Sequence, residues 1–146
     1  MHFEGSVPIT ADRQAVWAFV NDPNQVASCG PGVDSVEVID DRQYKVVARI
    51  GIGMIKATFG IDVTRGEQRA PDFAELSGSG KAPGSAVDGS ARMDLSDGPD
   101  GTTIMDWTAD IHIHGKLASV GARLIEGTSR KLIGQTFDCM RAKLEA

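Results

Sequence analysis

An α+β fold, a curved seven-stranded antiparallel sheet gripped around a long C-terminal helix, is what this sequence predicts. Three observations carry that reading. Residues between Val33 and His114 alternate apolar and polar with period two, a proline-free stretch after Gly115 has helical spacing, and a strand-like segment followed by two short helical runs precedes both.

The N-terminal segment places Phe3, Gly5, Val7 and Ile9 on one side and His2, Glu4, Ser6 and Pro8 on the other, the pattern of a half-buried strand. Pro8 lacks an N–H, which suits an edge or a strand end. Thr10 is positioned to cap a helix in which Ala15, Val16, Phe19 and Val20 recur at helical spacing until Asn21-Asp22-Pro23 stops it. A second short helix is expected after Asp22, with Pro23 in its first turn, ending by Cys29-Gly30-Pro31-Gly32. Turn signals at Asp40-Asp41, Gly53-Met54, Arg69-Ala70-Pro71, Ala82-Pro83-Gly84 and Asp97 to Gly101 then cut the period-two region into six strands. Connections this short favour an antiparallel meander. From Gly115 to about Leu144 the chain reads as one helix of roughly 28 residues, some 42 Å long. Its inner stripe starts at Leu117, Val120, Leu124 and Thr128 and drifts through Leu132, Thr136, Cys139 and Met140.

At 146 residues the chain fits a single domain, 1-146, of a size that one core can stabilise. A net charge of -5 argues against a nucleic-acid partner, which would need concentrated positive charge. No apolar run approaches the roughly 18 residues of a membrane span, and no leader pattern opens the chain. Cys29 and Cys139 show neither metal-ligand spacing nor the density of a secreted disulfide scaffold, so a reducing cytoplasm is the expected compartment.

The inward parity of the sheet is almost free of charge and unusually small: Ala48, Ala57, Gly78, Gly80, Gly89 and Ala91 are among its members. A sheet lined this way cannot by itself fill the space beneath a long helix, and a ligand pocket is one solution. The other is that small residues let the helix approach closely and fill the gap with its own side chains. An empty cavity of about 300 Å³ would cost roughly 7 kcal/mol. That rivals the stability of a small domain, so a true pocket should hold a guest or water, and an apolar lining favours an apolar guest. The candidate lining is Phe59, Ile61, Leu76, Ala91, Met93, Trp107 and Ile111 from the strands, with Leu124 and Leu132 from the helix. Thr128 and Gln135 are the candidate hydrogen-bonding partners for a guest's carbonyl or hydroxyl.

No catalytic or metal site emerges. His112 and His114 sit two apart beside Asp110 on an outward face with no third ligand in view, so a solvated strand face is expected there. Neither cysteine has a histidine placed by sequence, and no serine lies in a Gly-x-Ser-x-Gly turn. Residues 78–81, Gly-Ser-Gly-Lys, lack P-loop spacing and the strand-to-helix context it needs. Arg123, Arg130, Arg141 and Lys131 form a basic outer face on the last helix, either solvated or a docking strip for an acidic partner or an anionic membrane.

The element order resembles the START-like (SRPBCC) helix-grip superfamily. Within it, Ala15-Val16-Trp17-Ala18 leading to Asn21-Asp22-Pro23, then Cys29-Gly30-Pro31-Gly32, looks like the early signature of the carbon monoxide dehydrogenase G-subunit family. A later run is similar too: Trp107-Thr108-Ala109-Asp110, Gly115-Lys116-Leu117-Ala118, Gly121 to Ile125, Arg130-Lys131-Leu132, Gln135 and Phe137. The resemblance covers nearly the whole chain. It implies an accessory protein, without a cofactor of its own, that serves a molybdenum hydroxylase of the carbon monoxide dehydrogenase type at the membrane. The sequence ends at Ala146 without the tail some relatives use for membrane contact, so peripheral rather than permanent contact is expected. The guest implied is a lipid or an isoprenoid quinone. Two rivals stand beside this: a polyketide cyclase or aromatase, which would need polar groups inside where parity supplies only Tyr44, and a structural adaptor with a closed core.

Overall fold

The computed structural model describes all 146 residues. Strand β1 (His2–Ile9) leads into helices α1 (Arg13–Val20) and α2 (Pro23–Ser28). Six strands follow: β2 (Val33–Val38), β3 (Gln43–Ile52), β4 (Ile55–Arg69), β5 (Phe73–Ala82), β6 (Ser85–Asp97) and β7 (Thr103–Gly115). Helix α3 (Ala122–Leu144) closes the chain. The sheet is a single antiparallel layer in the order β1-β7-β6-β5-β4-β3-β2, so the meander runs from β2 to β7 and β1 returns to pair beside β7. Each expected turn joins two neighbouring strands. Pro8 lies on an edge strand, where the missing N–H costs no ladder bond.

Local chemistry sets the helix starts. Asp12, not Thr10, caps α1: its carboxylate accepts from Ala15 N at 2.7 Å, while Thr10 N donates instead to Glu145 Oε2 at 2.8 Å. Asp22 caps α2 by accepting from Asn24 N at 3.0 Å, with Pro23 in the first turn as expected.

The last helix departs from the sequence expectation. Lys116–Val120 forms a separate 3-10 turn, and Gly121, at φ 99 and ψ 150, breaks the chain before α3 begins. Only glycine adopts that conformation readily. The helix therefore has 23 residues and spans about 35 Å. Ile125 and Met140 are its buried residues, with Leu132, Ile133, Thr136 and Phe137 half-buried, while the expected Leu124 is exposed.

The C-terminal half of α3 packs on the largest core cluster, in which Met140 joins Ile9, Val16, Phe19, Leu95 and Met105. It is also tied covalently. Cys29, at the end of α2, and Cys139 form a disulfide across 110 residues of sequence. This corrects the expectation drawn from cysteine spacing, because pairing depends on tertiary proximity that spacing does not encode. It also stands against the reducing compartment inferred from it, where thiols are ordinarily kept reduced.

Two outcomes follow from this anchoring. Closing a loop of that length restricts the unfolded chain, so Cys139→Ala or reduction should lower unfolding free energy by about 4 kcal/mol, measurable by urea titration with and without reductant. The hydrogen bond from Thr10 N holds the Glu145 carboxyl below its ordinary value of 4.5. A depressed carboxylate stabilises the fold above that value and loses the contribution as pH falls through the lowered one. Wild type and Glu145→Gln should thus differ in urea midpoint at neutral pH and converge in acid.

Candidate functional site

Beneath α3 the concave face of the sheet holds a cleft with two adjoining basins. The inner basin, about 280 Å³, is walled by Ile50, Phe59, Ile61, Val87 and Ile111 and floored by Gly78, Gly80, Gly89, Ala91 and Ala109. No α3 residue lines it. The outer basin, about 330 Å³, lies between the sheet and α3, with Met93, Met105 and Trp107 facing Leu132, Thr136, Phe137 and Met140. Leu76, Ala91 and Ala109 line both, so the two basins meet over the smallest side chains of β6 and β7.

The cleft exists because of those floor residues. Gly78 pairs with Gly89 across β5 and β6, and Ala91 pairs with Ala109 across β6 and β7, so a row of hydrogens and methyl groups runs across the sheet where other sheets carry Val or Leu. At Gly80 a Cβ would come within 3.1 Å of Ile61. The core is accordingly divided: Ile52, Phe59 and Leu117 pack as one cluster, Tyr44, Val46 and Ala48 as another, and the α1–α3 cluster stands apart from both.

Among the lining residues expected from sequence, Phe59, Ile61 and Ile111 border the inner basin, Met93, Trp107 and Leu132 the outer, and Leu76 and Ala91 both. Three others lie elsewhere. Leu124 is 43% exposed, with its side chain against Gly53 at the β3–β4 turn, and Thr128 shares a surface hollow with it. Gln135 is exposed to solvent. Helix α3 packs on the core through its C-terminal half, where Leu132, Thr136 and Met140 of the expected stripe line the outer basin, while Leu124 and Thr128, earlier on the same row, lie beyond both basins. Neither expected polar contact therefore faces the cleft.

A polar group that sequence reasoning missed takes their place. Arg65 continues the inward parity of β4 one step beyond Val63, pairs with Leu76 and lines the outer basin beside Asn21 and Gln68. Its guanidinium donates to Asp41 O at 3.0 Å and to Asn21 O, tying the β2–β3 turn to the end of α1. Tyr44 pairs with Val63 and so sits diagonally beside Arg65 on the same face. Burial raises the Tyr44 phenol above its ordinary 10.0, with the Arg65 charge pulling the other way. The signal that could have found Arg65 is the parity running through Ile55 to Val63, which extends one inward position further. Trp107 adds an indole N–H that is buried without an acceptor, its ring held between Gly5 and Phe137, 5.2 Å between ring centroids.

The outward groups hold to the surface. His112 and His114 are exposed on β7, His114 lying 3.5 Å from Asp88. On α3 the basic strip is interrupted, since Arg130 pairs with Glu126 at 3.0 Å and Arg141 with Glu145 at 3.5 Å.

Residues 5–145 match the carbon monoxide dehydrogenase G-subunit (CoxG) family. The chain belongs to that family. Solved structures share the fold. A conserved protein from Geobacillus kaustophilus superposes with a TM-score of 0.92 at 24% identity, over 99% of this chain and 95% of that one. A START superfamily protein from Mycobacterium smegmatis gives 0.72 at 9% identity, over 99% and 97%. The Zhui aromatase/cyclase of Streptomyces sp. R1128 gives 0.74 at 15% identity, over 99% and 93%. No protein of curated function matches the sequence. No helix of this CoxG-family protein is long and apolar enough to cross a membrane.

Ala91→Phe tests whether the cleft is open. In a filled core the larger ring would cost about 1–3 kcal/mol. Here it should enter the junction of the basins and change the urea unfolding free energy by less than about 1 kcal/mol.

Proposed function

We propose that this CoxG-family protein is a non-catalytic carrier that holds a lipophilic guest, an isoprenoid quinone, in its cleft and serves a molybdenum hydroxylase of the carbon monoxide dehydrogenase type. The observation that carries the proposal is the inner basin, whose walls are mostly apolar side chains, with Ser77, Ser90 and Asp110 at its margin, and which α3 leaves unfilled. Water gains few hydrogen bonds in such a space, whereas an isoprenoid chain buries its surface there at about 25 cal/mol per Å². Phe59, Ile61, Val87 and Ile111 would receive the tail, and the outer basin the ring. The family supplies the context for the partner. Loading from a bilayer calls for peripheral membrane contact, on the cytoplasmic side in this proposal. There the disulfide would rely on shielding, and Cys29 is only 4% exposed.

A cyclase-like enzyme is the second reading, favoured by Arg65 lining the cleft with Tyr44 beside it. Proton abstraction at neutral pH needs a group that is basic there. Arginine stays protonated, and burial keeps the Tyr44 phenol protonated as well, so neither serves as that base. The pair suits binding.

Thermal unfolding with a panel of quinones of increasing tail length tests the proposal. A guest bound only by the folded state adds about 2.7 kcal/mol at a hundred times its Kd. The melting temperature should rise with the quinones and grow with tail length up to the capacity of the inner basin. No rise with any tail length would remove the carrier reading.

A further inference from the structure

We infer that Arg65 is the head-group site of the cleft and selects a guest that carries a ring carbonyl oxygen. This rests on the carrier reading and fixes the direction of the guest: carbonyl head at Arg65, tail in the inner basin.

The argument begins with an imbalance of donors and acceptors. Arg65 is a half-buried cation of inward parity that none of the protein's ion pairs includes, whereas Arg92, the other cation lining the outer basin, is exposed and lies over the Phe73 ring. Two of its nitrogens donate to the carbonyls of Asp41 and Asn21. A guanidinium carries five N–H groups and accepts nothing, so it has donors beyond those two bonds. Tyr44 beside it is 8% exposed and lines neither basin, so Arg65 is what brings these donors to the cleft. A site of donors calls for a guest of acceptors. A carbonyl oxygen fits it, and it carries no charge to be stripped of water on entry.

Position adds the second half. Arg65 lines the outer basin and is absent from the inner one, where no cationic side chain lines the wall. A guest with a polar head and a greasy tail therefore has one favourable orientation. The two carbonyl bonds of Arg65 hold the guanidinium against the end of α1 and the β2–β3 turn, so its remaining donors are presented in a fixed place.

The test compares three probes on the full chain: decylubiquinone, the decyl-substituted benzene lacking carbonyls, and decanoate, each titrated into wild type, Arg65→Met and Arg65→Lys. Wild type should bind the quinone at least about 10-fold more tightly than the hydrocarbon, a preference that Arg65→Met abolishes by weakening the quinone about 10- to 100-fold while hydrocarbon affinity stays within about 2-fold. Arg65→Lys should restore part of the preference. A merely structural strut would weaken both probes equally, and that result would overturn the assignment while leaving the carrier reading intact. Tighter binding of decanoate than of quinone, lost in Arg65→Met, would overturn the ring-carbonyl class in favour of a carboxylate. Failure of wild type to bind either quinone or hydrocarbon would remove the carrier reading and this inference with it. Should Arg65→Met not fold, Arg65→Gln is read in the same way: a preference unchanged within about 2-fold overturns the site, and a loss of about 5-fold supports it.

Discussion

The undersized floor of the sheet governs the rest of this structure. Gly78 against Gly89, and Ala91 against Ala109, leave the concave face too shallow for α3 to fill, and no α3 side chain reaches the inner basin. Packing elsewhere compensates: α3 is secured at its C-terminal end by the Met140 cluster, the Cys29–Cys139 bond and the Thr10–Glu145 contact. Anchored at one end, the helix roofs the cleft without having to occupy it.

That arrangement explains why the interior is divided and why its polarity is so uneven. The inner basin is made by strands alone, from residues of inward parity. The outer basin receives α3 on one side and the α1 end on the other, and there Arg65 finds two main-chain carbonyls to hold it. Desolvating a cation is tolerable only where hydrogen bonds replace water, which confines the polar end of the cleft to the place where elements meet.

Much of this is legible in the sequence. Strict period-two alternation from Tyr44 to Ile113, punctuated by glycine and proline turns, fixes which residues face inward, and β3 to β7 follow it closely. Phe59, Leu76, Ala91 and Trp107 can be placed on the concave face for that reason. The helix is harder. An isolated Gly121 inside a proline-free run reads as a tolerated interior glycine, yet here it takes a conformation that ends the preceding turn, and the shortened helix meets the cleft through its C-terminal half, leaving Leu124, Thr128 and Gln135 outside it. Arg65 is hidden by the expectation that inward means apolar, just before the irregularity where β4 loses register between Arg65 and Gln68. The disulfide joins residues 110 apart, and no local pattern announces such a contact.

The central claim is that the cleft is built to be occupied, and the most direct measurement is native mass spectrometry of the protein after incubation with membrane lipid extract. The account predicts a bound species of several hundred daltons on the 15.5 kDa chain, displaced by the Ala91→Phe substitution. A spectrum showing only the bare chain in wild type would contradict it.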